Sequence, residues 1–362
     1  MKESDVMRER RGDLSQVDRI LERHEAFWNR QIVDRVCIAV TAPASRCVAM
    51  PKAGSDEEHL ADPTFVVRRE EARIQNTYYA GDALPMAYAE GHLLYPAWGG
   101  KGRFESGTVW ADPSMHDWRE WSNYCFDPDN IWIRRFLDTN RALAAASNER
   151  WWVATQGFFG ATDALALVRG YEEFLMDLAE ADAAAALRIA QRAAIRGHKE
   201  IITRAWDDVQ AWQRGTATNP GIWAPGRINY WSADFSCMIG PADFEKWLAP
   251  EFEEMINLCE YSLYHLDGPD AVRHLPRLGQ FEKLKGIQYT VGPQVRNDVQ
   301  HWLGVAKQIQ SLGKATWLWI DADLLETAMA NLDPRGLFLF TRARDEEHAD
   351  WIVKQAAALT SK

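Results

Sequence analysis

The sequence predicts an α/β fold, a (β/α)8 barrel with an N-terminal helical extension over residues 1–35, and three observations predict it. From about residue 150 onward, short apolar runs alternate with longer amphipathic ones, the pattern of strands and helices in a parallel sheet. No strand-like run is followed by a GxGxxG turn. That disfavours a dinucleotide-binding sheet and, with the number of strand–helix units, favours a closed barrel. The run Ser262-Leu263-Tyr264-His265-Leu266-Asp267-Gly268-Pro269 follows a long amphipathic stretch and breaks off in a turn, as a buried strand does at its C-terminal end. No internal repeat or low-complexity linker divides the chain, so a single domain over residues 1–362 is expected.

The elements follow in order. Asp13 to Asn29 reads as a helix, with Leu14, Val17, Ile20, Leu21 and Phe27 at helical spacing and Asp13 as its N-cap. Val36 to Val40 is a short strand ending at Thr41-Ala42-Pro43, and Pro63 to Tyr79 is helical. Gly81 to Asn130 is mostly irregular and rich in Gly, Pro and Trp; so long a stretch inside a compact domain is usually functional. Asp129 to Ala146 is a helix and Trp151 to Thr155 a strand. Thr162 to Gly170 and Glu172 to Trp206 are helical, a weak strand signal lies near Gln210, and Pro220 to Asp234 reads as loop. A helix over 241–261, the strand at 262–266, a short helix near 270–279 and a strand from Gly286 to Thr290 come next. Helix 298–312, strand Ala315 to Ile320, helix Asp323 to Asn331, strand Leu337 to Thr341 and helix Asp345 to Leu359 complete the chain.

With 362 residues, 47% of them hydrophobic, the chain can bury a large core. Its net charge of -11 argues against nucleic acid and anionic membrane surfaces as partners. No apolar run approaches 18 residues, so no transmembrane helix is expected. Met1 to Asp13 is polar and lacks an apolar signal core, which makes a cytoplasmic location the expectation. Cys37, Cys47, Cys125, Cys237 and Cys259 show no CxxC spacing and read as free thiols, neither a disulfide frame nor a structural zinc module.

Seventeen tryptophans are the compositional outlier. Trp98, Trp110, Trp223 and Trp231 lie in Gly- and Pro-rich sequence. They are expected either to anchor loops or to wall a pocket for a sugar face, a methylated ammonium or a tetrapyrrole.

In parallel α/β folds ligands sit beyond the carboxyl ends of the strands. His265 and Asp267, two apart on one strand, share a side of it. An imidazole beside a carboxylate there can bind a metal, move a proton or grip a polar ligand; it can also merely pair with itself. Gln288 and Tyr289 end the next strand, and Gln288 reads as a ligand contact or a turn stabiliser. Trp317, Trp319 and Asp321 alternate on the following one, a stacking surface topped by a hydrogen-bonding group, with helix capping the other reading for Asp321 and the stronger one for Asp323. Arg227, Asn229, Tyr230, Trp231 and Asp234 precede the 241–261 helix, where an arginine can clamp a carboxylate. Glu90, His92 and Tyr95 in the early irregular region, and Arg342 and Arg344 after the last strand, are further candidates. Arg273 and His274 read as structural.

Three segments carry a family resemblance. Ile239-Gly240-Pro241-Ala242-Asp243-Phe244-Glu245-Lys246-Trp247-Leu248-Ala249-Pro250 resembles the SPEDFEEFVLPY helix of the uroporphyrinogen decarboxylase superfamily. Leu167-Val168-Arg169-Gly170-Tyr171-Glu172-Glu173-Phe174-Leu175-Met176-Asp177-Leu178 is similar to its LRG-E-LLLDL stretch. Gly336-Leu337-Phe338-Leu339-Phe340-Thr341, followed by Glu346, Glu347 and Ala349, is similar to its last strand and helix. The similarity covers residues 150 to 360 and, more loosely, the first 150. It implies a TIM barrel with its pocket at the C-terminal mouth, in a superfamily of porphyrinogen decarboxylases and of zinc-dependent methyltransferases acting on corrinoids.

The chain departs from both branches. Val48 to Glu57 lacks the arginines of the decarboxylases' RQAGR loop. The methyltransferases bind zinc through His-x-Cys and a second Cys on the last strand; here Asp267 stands where the first Cys would be and Thr341 or Arg342 near the second. The resemblance therefore implies methyl transfer involving a corrinoid, free or carried by a corrinoid protein, or a methylated small molecule. His265 and Asp267 would hold a divalent metal such as zinc, or the reacting group, while Gln288 and Asp321 orient the substrate. Two readings stand beside it: a metal-free decarboxylase or lyase using Arg227 for carboxylates and Asp267 for developing positive charge, and a non-enzymatic binder of a sugar-like or tetrapyrrole ligand.

Overall fold

The computed structural model describes residues 14–121, 127, 129–155, 158–295 and 297–360. The chain opens with α1 (Leu14–Trp28) and β1 (Cys37–Pro43), followed by α2 (Asp56–Ala61) and α3 (Pro63–Gln75). The two short helices start at side-chain caps: Ser55 accepts from the Glu58 N–H at 3.1 Å, and Asp62 from the Phe65 N–H at 2.7 Å with Pro63 in the first turn. The expected N-cap Asp13 lies outside the described residues. Helix α3 ends at Gln75, where β2 (Thr77–Gly81) begins, so the expected helix to Tyr79 is four residues too long. The stretch read as irregular holds β3 (Met86–Tyr88), a 3₁₀ segment (Gly91–Trp98) and the hairpin β4 (Lys101–Glu105) with β5 (Thr108–Asp112).

Next come α4 (Ile131–Ser147), β6 (Trp152–Thr155), β7 (Phe158–Phe159), α5 (Ala161–Arg169), α6 (Tyr171–Ala179) and α7 (Ala181–Gln210). The weak strand signal near Gln210 is the end of α7, and β8 (Thr216–Thr218) follows it. The expected loop over Pro220 to Asp234 contains β9 (Ile222–Ala224) and β10 (Ile228–Ser232). Helix α8 runs over 241–256 with a π turn at Phe244–Leu248. Its cause is Pro250, which has no N–H to give the helix; the Lys246 carbonyl instead accepts from Arg188 at 3.4 Å. Then follow β11 (Tyr261–Asp267), the helical residues 268–280 as α9, β12 (Gly286–Thr290), α10 (Val299–Ser311), β13 (Ala315–Trp319), α11 (Leu325–Asn331), β14 (Leu337–Arg342) and α12 (Glu346–Thr360).

Seven parallel strands and one antiparallel edge form the main sheet, in the order β2-β1-β14-β13-β12-β11-β10-β7. A second sheet has the order β3-β6-β8-β9, with β9 antiparallel. Among the described residues no backbone ladder joins the two. The α/β class is therefore as expected, while a fully closed eight-stranded barrel is not formed by hydrogen bonding.

Both faces of the main sheet are buried, which is why its strands read as nearly continuous apolar runs. Ile38, Val40, Tyr264, Leu266, Ile287, Tyr289, Leu318 and Leu339 face the helices. The alternate residues Cys37, Ala39, Ile228, Tyr230, Leu263, Ala315, Trp317 and Phe338 gather in one interior cluster with Ile222 and Ala224 of β9. Strands that are far apart in the sheet meet there, so the sheet is curled around this face. Phe27 and Trp28 of α1 enter the same cluster from the side of the strand beginnings, and the Trp28 indole donates to the Trp223 carbonyl at 2.9 Å.

One buried carboxylate fastens this arrangement. Asp82, fully buried, accepts from both Arg35 terminal nitrogens (2.5 and 3.0 Å), from the Ile38 N–H at 2.8 Å and from Arg23 of α1 at 3.2 Å. His24 of α1 lies between the Asp82 carbonyl (2.9 Å) and the Trp223 N–H (3.1 Å), and its burial lowers its pKa, consistent with a neutral ring. Replacing Asp82 leaves Arg35 buried without its counter-charge, so Asp82→Ala should cost about 3–5 kcal/mol of unfolding free energy. Urea unfolding checks this; a loss under about 1 kcal/mol would mean that the pair contributes like a surface ion pair.

No helix among the described residues is long and apolar enough to cross a membrane. Cys37, Cys47, Cys237 and Cys259 are free thiols; Cys125 lies outside the described residues.

Candidate functional site

Strand register builds the site. Ser232 of β10 pairs with His265 of β11, and His265 with Gln288 of β12. Asp267 pairs with Thr290. Asp234 is two residues past Ser232, as Asp267 is two past His265, so both carboxylates rise to one level beyond the strand ends. One ligand atom from each of Asp234, His265 and Asp267 falls within 4.8 Å of the others.

The His265 ring is held from behind. Its Nδ1 lies 3.0 Å from the Tyr230 hydroxyl and in short contact with Gln288 Oε1. Tyr230 donates to the same Oε1 at 2.8 Å, and the Gln288 amide nitrogen donates to Thr290 Oγ1 at 2.9 Å. An amide oxygen only accepts, so in the neutral ring this network assigns the proton to Nδ1. The Nε2 lone pair then faces outward, 3.9 Å from Asp267 Oδ1. Orienting a histidine through its inner nitrogen is how protein metal ligands are commonly prepared.

The carboxylates are crowded. Burial pushes the Asp267 carboxyl above its ordinary range; His265 pulls it back and Asp234 adds to the rise. Beneath Asp234, the buried Asp163 accepts from the Asp234 and Phe235 N–H groups, both at 3.1 Å. Burial, then the charge of Asp234, raises Asp163 well above the usual carboxylate range. Glu90 and His92 pair at 3.0 Å. Burial opposes charge on both, but the pairing prevails: Glu90 is lowered and His92 raised, with Asp234 adding to the rise of His92. Tyr95 packs against His92 and Phe159, with ring centroids 4.9 and 4.2 Å away.

A cavity of about 640 Å³ opens beside this group, between β1, β13, β14 and the segment Tyr79–Tyr88. Trp317, Trp319, Phe340 and Arg342 line it, and His265 and Asp267 do not, so the cavity lies over the other half of the sheet. Trp317 pairs in register with Gln288, and Gln288 with His265, which places the cavity wall two strands from the histidine, with β12 between them.

The other candidates separate. Asp321 is exposed beyond the end of β13, at the start of a 3₁₀ turn, and its side chain makes no cap bond. Arg227 stands at the beginning of β10, the opposite end of the sheet, paired with Asp207 at 2.7 Å and stacked on Trp206; it cannot clamp a ligand near His265. Trp231 is 1% exposed and points outward, against Phe252 at 4.1 Å, because alternation that turns Tyr230 inward turns its neighbour out. Trp98 is likewise core, and Trp223 packs beside α1 with its indole donating to the Arg214 carbonyl at 2.6 Å. Trp110 is exposed on the β4–β5 hairpin. Arg103 pairs with Glu105 and Asp112 on that hairpin, and Arg344 with Asp345. Thr341 is buried, and the imidazole of the buried His274 meets the Ser236 carbonyl at 2.9 Å.

Sequence reading placed Asp234 in a loop and gave it no ligand role. The usable signal was its offset from β10, invisible while that strand was read as loop. Asp163 carried no signal, because its partners are backbone groups from a segment 71 residues away.

No family model matches the chain, and no curated protein does. Among solved structures, a methyltransferase from Methanosarcina mazei superposes with a TM-score of 0.59 at 9% identity, over 94% of this chain and 98% of that one. At that identity the likeness is one of fold.

A raised carboxyl means that the folded state holds a proton the unfolded state has released. Stability from Asp163 therefore falls as pH climbs from its unfolded pKa, about 3.9, through the raised folded value. The difference in unfolding free energy between the wild type and Asp163→Asn should be level in acid and decline toward neutral pH. A difference that rises with pH would reverse the assignment.

Proposed function

We propose that the protein is an enzyme of (β/α)8 type that transfers a methyl group to or from a small molecule, with a divalent cation held by Asp234, His265 and Asp267. The observation that carries the reading is the outward Nε2 of His265, fixed by Gln288 and Tyr230, between two carboxylates at the ends of adjacent parallel strands. The fold likeness to a methyltransferase supports the reaction class.

The donor set fits a cation. Two carboxylates and one imidazole suit a borderline or hard divalent ion, zinc included, better than a site demanding thiolates. Burial is the main cause of the rise of Asp267; the smaller part due to Asp234 is what a positive ion between the carboxylates would offset. Such an ion would act as a Lewis acid on the nucleophile or leaving atom of the transfer. The chain's own contributions are separate: Gln288 and Tyr230 hold the imidazole, Asp163 holds the backbone at Asp234, and the aromatic cavity positions the substrate. A corrinoid, free or carried on a protein, remains the proposed methyl carrier, approaching from the carboxyl ends of the strands.

Protein purified without chelator should carry close to one equivalent of divalent metal by elemental analysis, and His265→Ala or Asp234→Ala should lose most of it. Gln288→Leu should weaken metal affinity by about 10–100-fold while leaving all three ligands in place. A metal-free wild type with full methyl-transfer activity would end the cation reading.

Decarboxylation of uroporphyrinogen should not occur. Eight carboxylates need several converging arginines, and among the described residues Arg73 and Arg342 are the only ones lining the cavity. Anaerobic incubation with the porphyrinogen and assay for coproporphyrinogen tests this; robust turnover would promote the decarboxylase.

A further inference from the structure

We infer that the cavity beside the histidine binds a planar aromatic monocarboxylate, its ring on Trp319 and its carboxylate on Arg342. The charge pattern is the first argument. The chain carries a net charge of -11, yet among the described residues no Asp or Glu lines this cavity, and its charged lining residues are Arg73 and Arg342. Arg73 is already matched by Glu70 at 2.7 Å. The Arg342 guanidinium lies 4.7 Å over the Trp319 ring and has no carboxylate partner among the described residues. One cation without a carboxylate partner remains among the described cavity residues, and a guanidinium offers a forked pair of donors to one carboxylate.

Shape is the second argument. Trp319 is 50% exposed, as are Trp110, Trp212 and Trp351 to a similar degree, but of these four it alone lines the cavity. Phe340 meets it edge-on at 5.1 Å, and Trp317 stacks at 20° to Phe340. These rings make a rigid wall that favours a flat partner. At about 640 Å³ the cavity suits a drug-sized ligand. As the substrate chamber of the transferase this assignment rests on the proposed function; as a binding site it does not.

Isothermal titration of the full-length protein with benzoate, 4-methoxybenzoate and indole-3-acetate, beside 4-methoxybenzyl alcohol and acetate, tests it. At least one aromatic acid should bind at least about tenfold tighter than the alcohol, and acetate more weakly than that acid. Arg342→Gln should remove that preference without changing binding of the alcohol or the melting temperature; Arg342→Lys should keep part of it. Trp319→Leu should weaken acid and alcohol alike. His265→Ala should leave binding of the acid within about threefold, so loss of the cation site and loss of this site are separately visible. Failure of all three acids to saturate below about 10 mM, or unchanged acid affinity in Arg342→Gln, overturns the inference.

Discussion

The parallel ladder of the main sheet holds one row of side chains at a common height, and the rest of the molecule is organised around that row. Ser232, His265, Gln288, Trp317, Phe338 and Cys37 are successive register partners across β10, β11, β12, β13, β14 and β1. The row is polar over its first three members and apolar over its last three, two of them aromatic. One strand slipped by a single residue would turn His265 toward the helices and bring Tyr264 inward. The apolar outer face forbids that slip, because Tyr264, Leu266 and Tyr289 are buried there. Burial on the helix side thus fixes the chemistry on the other.

Charge is partitioned along the same row. Asp163, Asp234 and Asp267 crowd one end, and Arg342 with the cavity's aromatic rings occupies the other. Neither group is paired with the other, and under the proposed function each would take a ligand of opposite sign. A cation at one end and an anion at the other are complementary requirements, and a reaction joining them would take place over Gln288 and Trp317.

Much of this was legible in the sequence where local pattern and burial agree. The strand at 262–266 and its turn, the strands near 286, 315 and 337, and the helices between them emerged within a few residues. Helix α8 was read as running to 261 and stops at Ile256. β10 was hidden because Pro220, Gly221 and Gly226 precede it and Asn229 interrupts its apolar run. That omission had a cost at the site: without β10, Tyr230 and Asp234 had no face and no height, and Trp231 passed for a loop residue. The loop tryptophans illustrate a second limit. Gly and Pro nearby say that backbone turns, not where an indole goes, and Trp98, Trp223 and Trp231 went into the core. Trp317 and Trp319, with strand alternation to locate them, line the cavity. The closure expected of a barrel depends on pairing between distant short strands, which local pattern does not encode.

Helix α1 seals the beginning of the strands with Phe27 and Trp28, and Asp82 and His24 bolt it there. The interior is therefore a blind alley. Under the proposed function, whatever occupies the chamber beside Trp319 would share the mouth at the strand ends with the methyl carrier. A bulky carrier seated at that doorway would trap the small acid behind it. Traffic would then be strictly ordered, with the small molecule first in and last out, and excess carrier would obstruct turnover by occupying the threshold of an empty chamber.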